Sequence, residues 1–151
     1  SLERADVAPR LRQAAADLAA ALTLPDATVR PQPSTWSTLE YACHVRDVFR
    51  IFLVRLELML AQDDPLFGNW DQDETAVAER YGEQQPSVVS RELNEAVEAL
   101  AGRFEELPAD VWQRPGRRSD GAAFTVTTFS QYLVHDPVHH VWDVQHGTAA
   151  P

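Results

Sequence analysis

Apolar residues recur at three- and four-residue spacing in four stretches of the chain, and that period predicts helices. Over residues 6–22, Val7, Leu11, Ala14, Leu18 and Leu22 form one stripe. Pro9 falls in the first turn, where its missing N–H is harmless, and Pro25 prevents continuation. The second stretch, 37–61, carries Leu39, Cys43, Val48, Phe52, Leu56 and Met59, a broad apolar surface that predicts a central helix. Its start has the strongest local signal in the chain. Ser37 and Glu40 make a capping-box pair, and Trp36 and Tyr41 fit the hydrophobic staple around it. The third stretch, 87–107, buries Val89, Leu93, Ala96, Leu100, Phe104 and Leu107 before Pro108 stops it.

The fourth helix is predicted over 126–145, with Thr125 as cap and Gly147 as terminator. Two features compete with it. The run from Phe124 to Phe129 is β-branched and aromatic, which suits a strand. Pro137 sits mid-segment and permits either one kinked helix, in which the Leu133 carbonyl is freed, or a new helix capped by Asp136. One kinked helix is the preferred form.

Between these helices, 62–86 is rich in acids and punctuated by Pro65, Gly68 and Gly82. It predicts a lid, a binding loop or a disordered segment, with a short helical turn within 76–81. Residues 109–124 predict a second loop, with Val111 and Trp112 pinned against the helices. Four amphipathic helices with no convincing set of strands predict an all-α, four-helix bundle, formed as one domain over 1–151.

At 151 residues the chain has room for a real core but little for a second domain. A net charge of −10 argues against nucleic acid, whose binding needs phosphate neutralisation, and against an anionic membrane surface. The one cysteine, Cys43, allows no internal disulfide and suits a reducing, cytoplasmic compartment. No apolar run approaches membrane-spanning length, and the N-terminus has no signal-peptide pattern.

Histidine is where chemistry concentrates. Four of the five histidines fall between His135 and His146. His135 and His139 are four apart, which on a helix puts both rings on one face within reach of one ion. No Glu lies between them in the zincin arrangement, so that protease pattern is absent. His44 stands on another helix, and if that helix neighbours the fourth, three imidazoles face one another across the core. Three imidazoles with an open position suit a catalytic divalent metal. For His44 alone, a core histidine bonded to a backbone carbonyl is the competing role. His140 is rotated about 100° from His139, and His146 lies about 10 Å further along, so neither joins the set.

Asp47, Asp136 and Asp143 are candidates to accept the second N–H of a ligand histidine, with Asp47 preferred because it lies one turn from His44. Tyr132 and Trp142 share the histidine face and suit either core packing or a substrate wall. Arg114, Arg117 and Arg118 form a basic cluster that suits either a solvated loop or an anionic substrate group.

Two stretches, Trp36-Ser37-Thr38-Leu39-Glu40-Tyr41-Ala42-Cys43-His44-Val45-Arg46-Asp47 and His135-Asp136-Pro137-Val138-His139-His140-Val141-Trp142-Asp143-Val144, resemble the DinB/YfiT-like superfamily of metalloenzymes. The shared pattern is a Trp eight residues before the first histidine and an HxxxH pair near the C-terminus, with four helices in the same order. The resemblance implies a four-helix bundle with a divalent metal, zinc or nickel, held by His44, His135 and His139. It also implies small-molecule chemistry and a homodimer. Characterised members include mycothiol-dependent maleylpyruvate isomerase and bacillithiol S-transferases. The isomerase has Glu where this chain has His135, which points away from that activity. Asn69, Trp70 and Asp71 look like the loop of actinobacterial members, where mycothiol is the natural thiol. The resulting expectation is a low-molecular-weight-thiol-dependent transferase. The alternatives are a metal-dependent hydrolase using Asp47 as base and a non-catalytic, stress-related metal-binding protein. Cys43 is not expected as nucleophile, because it points about 100° away from His44.

Overall fold

The computed structural model describes the backbone of residues 2–146 and the side chains of residues 2–136. In chain order it contains α1 (Val7–Ala21), α2 (Thr38–Ala61), the short α3 (Gln72–Ala78) and α4 (Pro86–Glu106). A small antiparallel hairpin of β1 (Pro115–Arg117) and β2 (Ala123–Thr125) follows, and then α5 (Val126–His146). The four long helices form the bundle. α1 packs against α4 and α5, and α2 packs against the same two. Helices α1 and α2 therefore sit on a diagonal although they are consecutive in sequence. The core between them is aliphatic and aromatic: Leu11 and Leu18, Phe49 and Leu56, Leu93 and Leu100, Phe129 and Leu133 are all buried.

The start of α2 forms as its sequence predicts. Ser37 Oγ accepts from the Glu40 N–H at 3.2 Å, and Glu40 Oε1 accepts from the Ser37 N–H at 3.1 Å. Trp36 and Tyr41 meet edge to face, with centroids 5.2 Å apart. This cap satisfies two amides that a helix start would otherwise leave unpaired. It fixes where His44, two turns further on, must stand.

Both predicted loops contain more structure than periodicity reveals. In 62–86, Asp71 caps α3 by accepting from the N–H groups of Asp73 and Glu74, both at 3.0 Å. α3 buries no residue, so it has no apolar stripe to betray it. In 109–124 the strands are three residues long, too short for alternation to register. The β character near Phe124 is real, but it ends at Thr125. There Thr125 and Thr128 each accept the other's backbone N–H, at 3.2 and 2.9 Å, and α5 begins. α5 runs on through Pro137 as a single helix, which excludes a fresh start at Asp136. The expected terminator Gly147 lies outside the described residues.

The hairpin is fastened to the end of α2. A Cβ at Gly116 would stand 2.7 Å from Phe67 Cζ and 2.9 Å from Met59 Cγ, so only glycine admits this approach. Arg114 donates from Nε to the Met59 carbonyl at 2.6 Å and from Nη2 to the Gln62 carbonyl at 2.9 Å, covering carbonyls exposed where α2 stops. Trp112 is buried beside Phe104, as expected of a pinned loop residue. Among the described residues, no helix is long and apolar enough to cross a membrane.

Candidate metal centre

His44 lies in the second turn of α2, and only 1% of its surface is exposed. Two indoles lie against its ring. Trp70, from the loop before α3, stacks on it with planes 6° apart and centroids at 5.7 Å. Trp36, from the helix cap, lies against it at 5.4 Å. Two aromatic walls fix the imidazole plane and keep bulk water off it. α2 packs directly on α5, the adjacency that the three-histidine arrangement requires. His135 lies on α5 and is exposed. The α5 register places position 139 one turn further along, but the His139 side chain lies outside the described residues, as do those of His140, Trp142, Asp143 and His146. Among the described side chains, no three His, Cys, Asp or Glu groups gather as a metal site.

A cavity of about 160 Å³ opens beside Trp70. Val48, Phe52 and Arg55 of α2 line one side, and Tyr132 and Asp136 of α5 line the other. Arg118, from the hairpin turn, also lines it. The ring of Trp70 therefore has His44 as one neighbour and this cavity as another. The buried imidazole of His44 is a donor of the kind that suits a first-row divalent ion such as zinc or nickel. A buried, aromatic-walled imidazole is also the kind of ligand whose orientation its surroundings must fix.

A family model for the DinB superfamily matches residues 9–144. The chain belongs to the DinB superfamily. Among solved structures it is similar to YfiT from Bacillus subtilis, reported as a probable metal-dependent hydrolase with an unusual four-helix bundle topology. That match has a TM-score of 0.83 and 16% identity over 97% of this chain and 87% of that one. It is also similar to a mycothiol-dependent maleylpyruvate isomerase, with a TM-score of 0.73 and 14% identity over 95% of this chain. The chain spans only 61% of the isomerase. A comparison with curated protein sequences finds no match. At these identities the structural likenesses establish the bundle, and the diagonal placement of α1 and α2 is the form it takes here.

Within this DinB bundle the other candidate residues divide sharply. Asp47 is committed to structure. It accepts a short hydrogen bond from the Tyr81 hydroxyl and one from Arg46 Nε at 3.0 Å, and it lies 3.6 Å from Arg50 Nη1. Burial, and then the bond to Asp47, push the Tyr81 hydroxyl well above its ordinary pKa, so it stays a donor. Arg46 reaches on to Gln84 at 2.8 Å and Glu92 at 3.1 Å. Asp47 thus pins the segment before α4 to α2.

Cys43 is fully buried, and burial pushes its thiol up to about 12, which agrees with its exclusion as a nucleophile. Of the three clustered arginines, Arg114 serves the end of α2 and Arg117 pairs with Asp64 at 3.0 Å. Only Arg118 reaches the cavity. Arg55 reaches it too, and sequence reasoning passed over it. A signal did exist: His44, Val48, Ile51 and Arg55 fall on one stripe of α2, so an arginine continues the histidine's own face.

Proposed function

We propose that this chain is a metal-dependent enzyme whose divalent ion, zinc or nickel, is held by His44, His135 and His139. Its most fitting activity is transfer chemistry on a low-molecular-weight thiol of the mycothiol type. The observation that carries this reading is His44: a buried imidazole with Trp36 and Trp70 against its ring, on a helix packed on α5, where Trp70 also lines a cavity large enough for a small organic group.

The ion, when bound, supplies a Lewis acid that favours the thiolate form of a small thiol. The chain's own residues do the rest. Trp36 and Trp70 orient the His44 ring and exclude water from one side of it. The exposed His135 leaves the α5 side of the site accessible to solvent and to a small molecule. The whole 1–151 chain acts as a single domain, in a reducing cytoplasmic setting and as a homodimer. Metal-dependent hydrolysis is less well served. Asp47, the base it would need, is engaged by Tyr81, Arg46 and Arg50.

Elemental analysis of untagged wild-type protein and of His44→Ala, purified without chelator, tests the site. The expected result is about one equivalent of metal per chain in the wild type and loss of it in the variant. No metal in either, even after incubation with zinc or nickel salts, overturns the proposal. Turnover of an electrophile only in the presence of a thiol supports the transferase. Ester turnover without thiol assigns a hydrolase instead. Silence in both assays, with a metal-dependent melting temperature, assigns a structural metal.

A further inference from the structure

Two guanidiniums, those of Arg55 and Arg118, line the cavity beside Trp70. Arg55 is half-buried, and its contacts are the Gly68 carbonyl at 3.1 Å and the faces of Phe52 and Phe67, at 5.8 and 5.3 Å. None of the ion pairs among the described residues includes it, which is unusual for a half-buried guanidinium in a chain of net charge −10. Arg118 lines the same cavity, over the rings of Phe124 and Tyr132. Its Nε and Nη2 bind Asp120 at 3.0 and 2.8 Å, and the Tyr132 side chain is a further hydrogen-bond neighbour. Burial, and then the nearby charge of Arg118, lower the pKa of Arg55 from its ordinary value, so the two cations feel each other across the space. Asp136 also lines the cavity and offsets part of this charge. The rings of Phe52, Trp70 and Tyr132 line the same cavity, together with the amides of Asn69 and Gln72.

We propose that Arg55 and Arg118 form an anion-binding subsite that takes the carboxylate of a small organic acid, its body lying along Phe52, Trp70 and Tyr132. The inference rests on the proposed function in one respect: this acid is a substrate, or part of one, for the His44 site. Trp70 and the α2 stripe support that link. His44 and Arg55 share one helix face, and the helix rise sets their Cα atoms about 16 Å apart along the axis. A molecule that reaches both ends is therefore elongated, with its reactive part beside Trp36 and its carboxylate at Arg55. Guanidinium is the suitable cation, since its fork matches a carboxylate and its plane stacks on aromatic walls.

Benzoate is the probe, with benzamide as its neutral isostere, titrated by ligand-observed NMR against wild type, Arg55→Gln, Arg118→Gln, Arg55→Lys and His44→Ala. Melting curves establish that each variant is folded. Benzoate is expected to bind saturably, and benzamide about tenfold more weakly. Each Arg-to-Gln change is expected to weaken benzoate about tenfold and leave benzamide unchanged. Arg55→Lys should fall between, because it keeps the charge and loses the fork. Absence of saturable benzoate binding overturns the subsite, as does equal binding of acid and amide. Loss of binding in His44→Ala, with full binding in both glutamine variants, also overturns it and assigns the carboxylate to the metal. Repeating the titration after chelator treatment separates this question from the metal reading. Arginine-dependent binding in metal-free protein supports the subsite even if elemental analysis sinks the metal.

Discussion

The α1–α4 seam and the α2–α5 seam are built from similar helices and serve different ends. α1 presents Leu11, Ala14, Ala15 and Leu18 as one buried stripe, with no buried polar side chain on it. Its polar link to α4 is on the surface, where Arg12 bridges Glu98 at 3.0 Å and Glu105 at 2.8 Å. The α2 side buries Ser37, Glu40, His44 and Arg46, places aromatic rings around the histidine and leaves a cavity against α5. Burying so many polar groups is unfavourable unless each is partnered. The partners are visible for Glu40 and Arg46, in Arg30 and in Asp47 with Glu92. The α1–α4 seam is held by apolar burial, whereas α2 also carries buried polar groups, partnered by Arg30 before it, by its own Asp47 and by Glu92 of α4.

Mutations at the two seams should therefore fail in different ways. The largest expected effect is on the apolar side. Leu11→Ala should cost about 2–5 kcal/mol of stability by denaturant unfolding, through lost burial and a residual cavity. Metal content and benzoate affinity of the folded fraction should not change. A matching loss of either would mean that the seams are not separable.

A smaller effect with a diagnostic pH dependence is expected at the cap of α2. Arg30 holds Glu40 through two bonds, at 2.8 and 2.6 Å. Burial pushes the Glu40 pKa up, but Arg30 and the Ser37 amide together hold it below the ordinary value of 4.5. The native pKa is thus the depressed one. Its stabilising contribution is present above the unfolded-state value and is lost as pH falls through the lower native value. Arg30→Ala should cost about 2 kcal/mol at neutral pH, less than for a fully buried pair because water reaches Arg30. With Arg30 gone, less opposes the effect of burial and the Glu40 pKa rises, so the penalty should shrink as pH falls. Urea titrations of both proteins across pH 3–7 would show it. A penalty independent of pH would mean that Arg30 acts by packing alone.

The smallest effect is expected from Arg12→Ala. Its ion pairs are exposed, so the change in melting temperature should be the least of the three and should vanish in high salt. A large, salt-insensitive loss would mean that the α1–α4 seam depends on polar bonds after all.

Much of this was legible in the chain. The four long helices follow from period and punctuation, and the cap at Ser37 and Glu40 forms as its pattern requires. The likeness that singles out His44, His135 and His139 rests on two short stretches, and the superfamily it implied is the one the chain belongs to. Local signals are strong where one segment satisfies its own backbone, as a capping box does. They fail where structure is borrowed from elsewhere. α3 buries no side chain, and the hairpin exists because Gly116 lies on Phe67 and Met59, far away in sequence.

Sequence alone determined the four long helices and the cap of α2, because each depends on neighbours within a few positions. Only the tertiary structure decided that α2 packs on α5, that two indoles lie against His44, and that Asp47 accepts from Tyr81 and Arg46. It also decided that Arg55 meets Arg118 across a cavity while Arg114 and Arg117 are used elsewhere. Helical period states which side of a segment is apolar. Which partner that side meets, and which charges are left unmatched when it does, are properties of packing among segments distant in the chain.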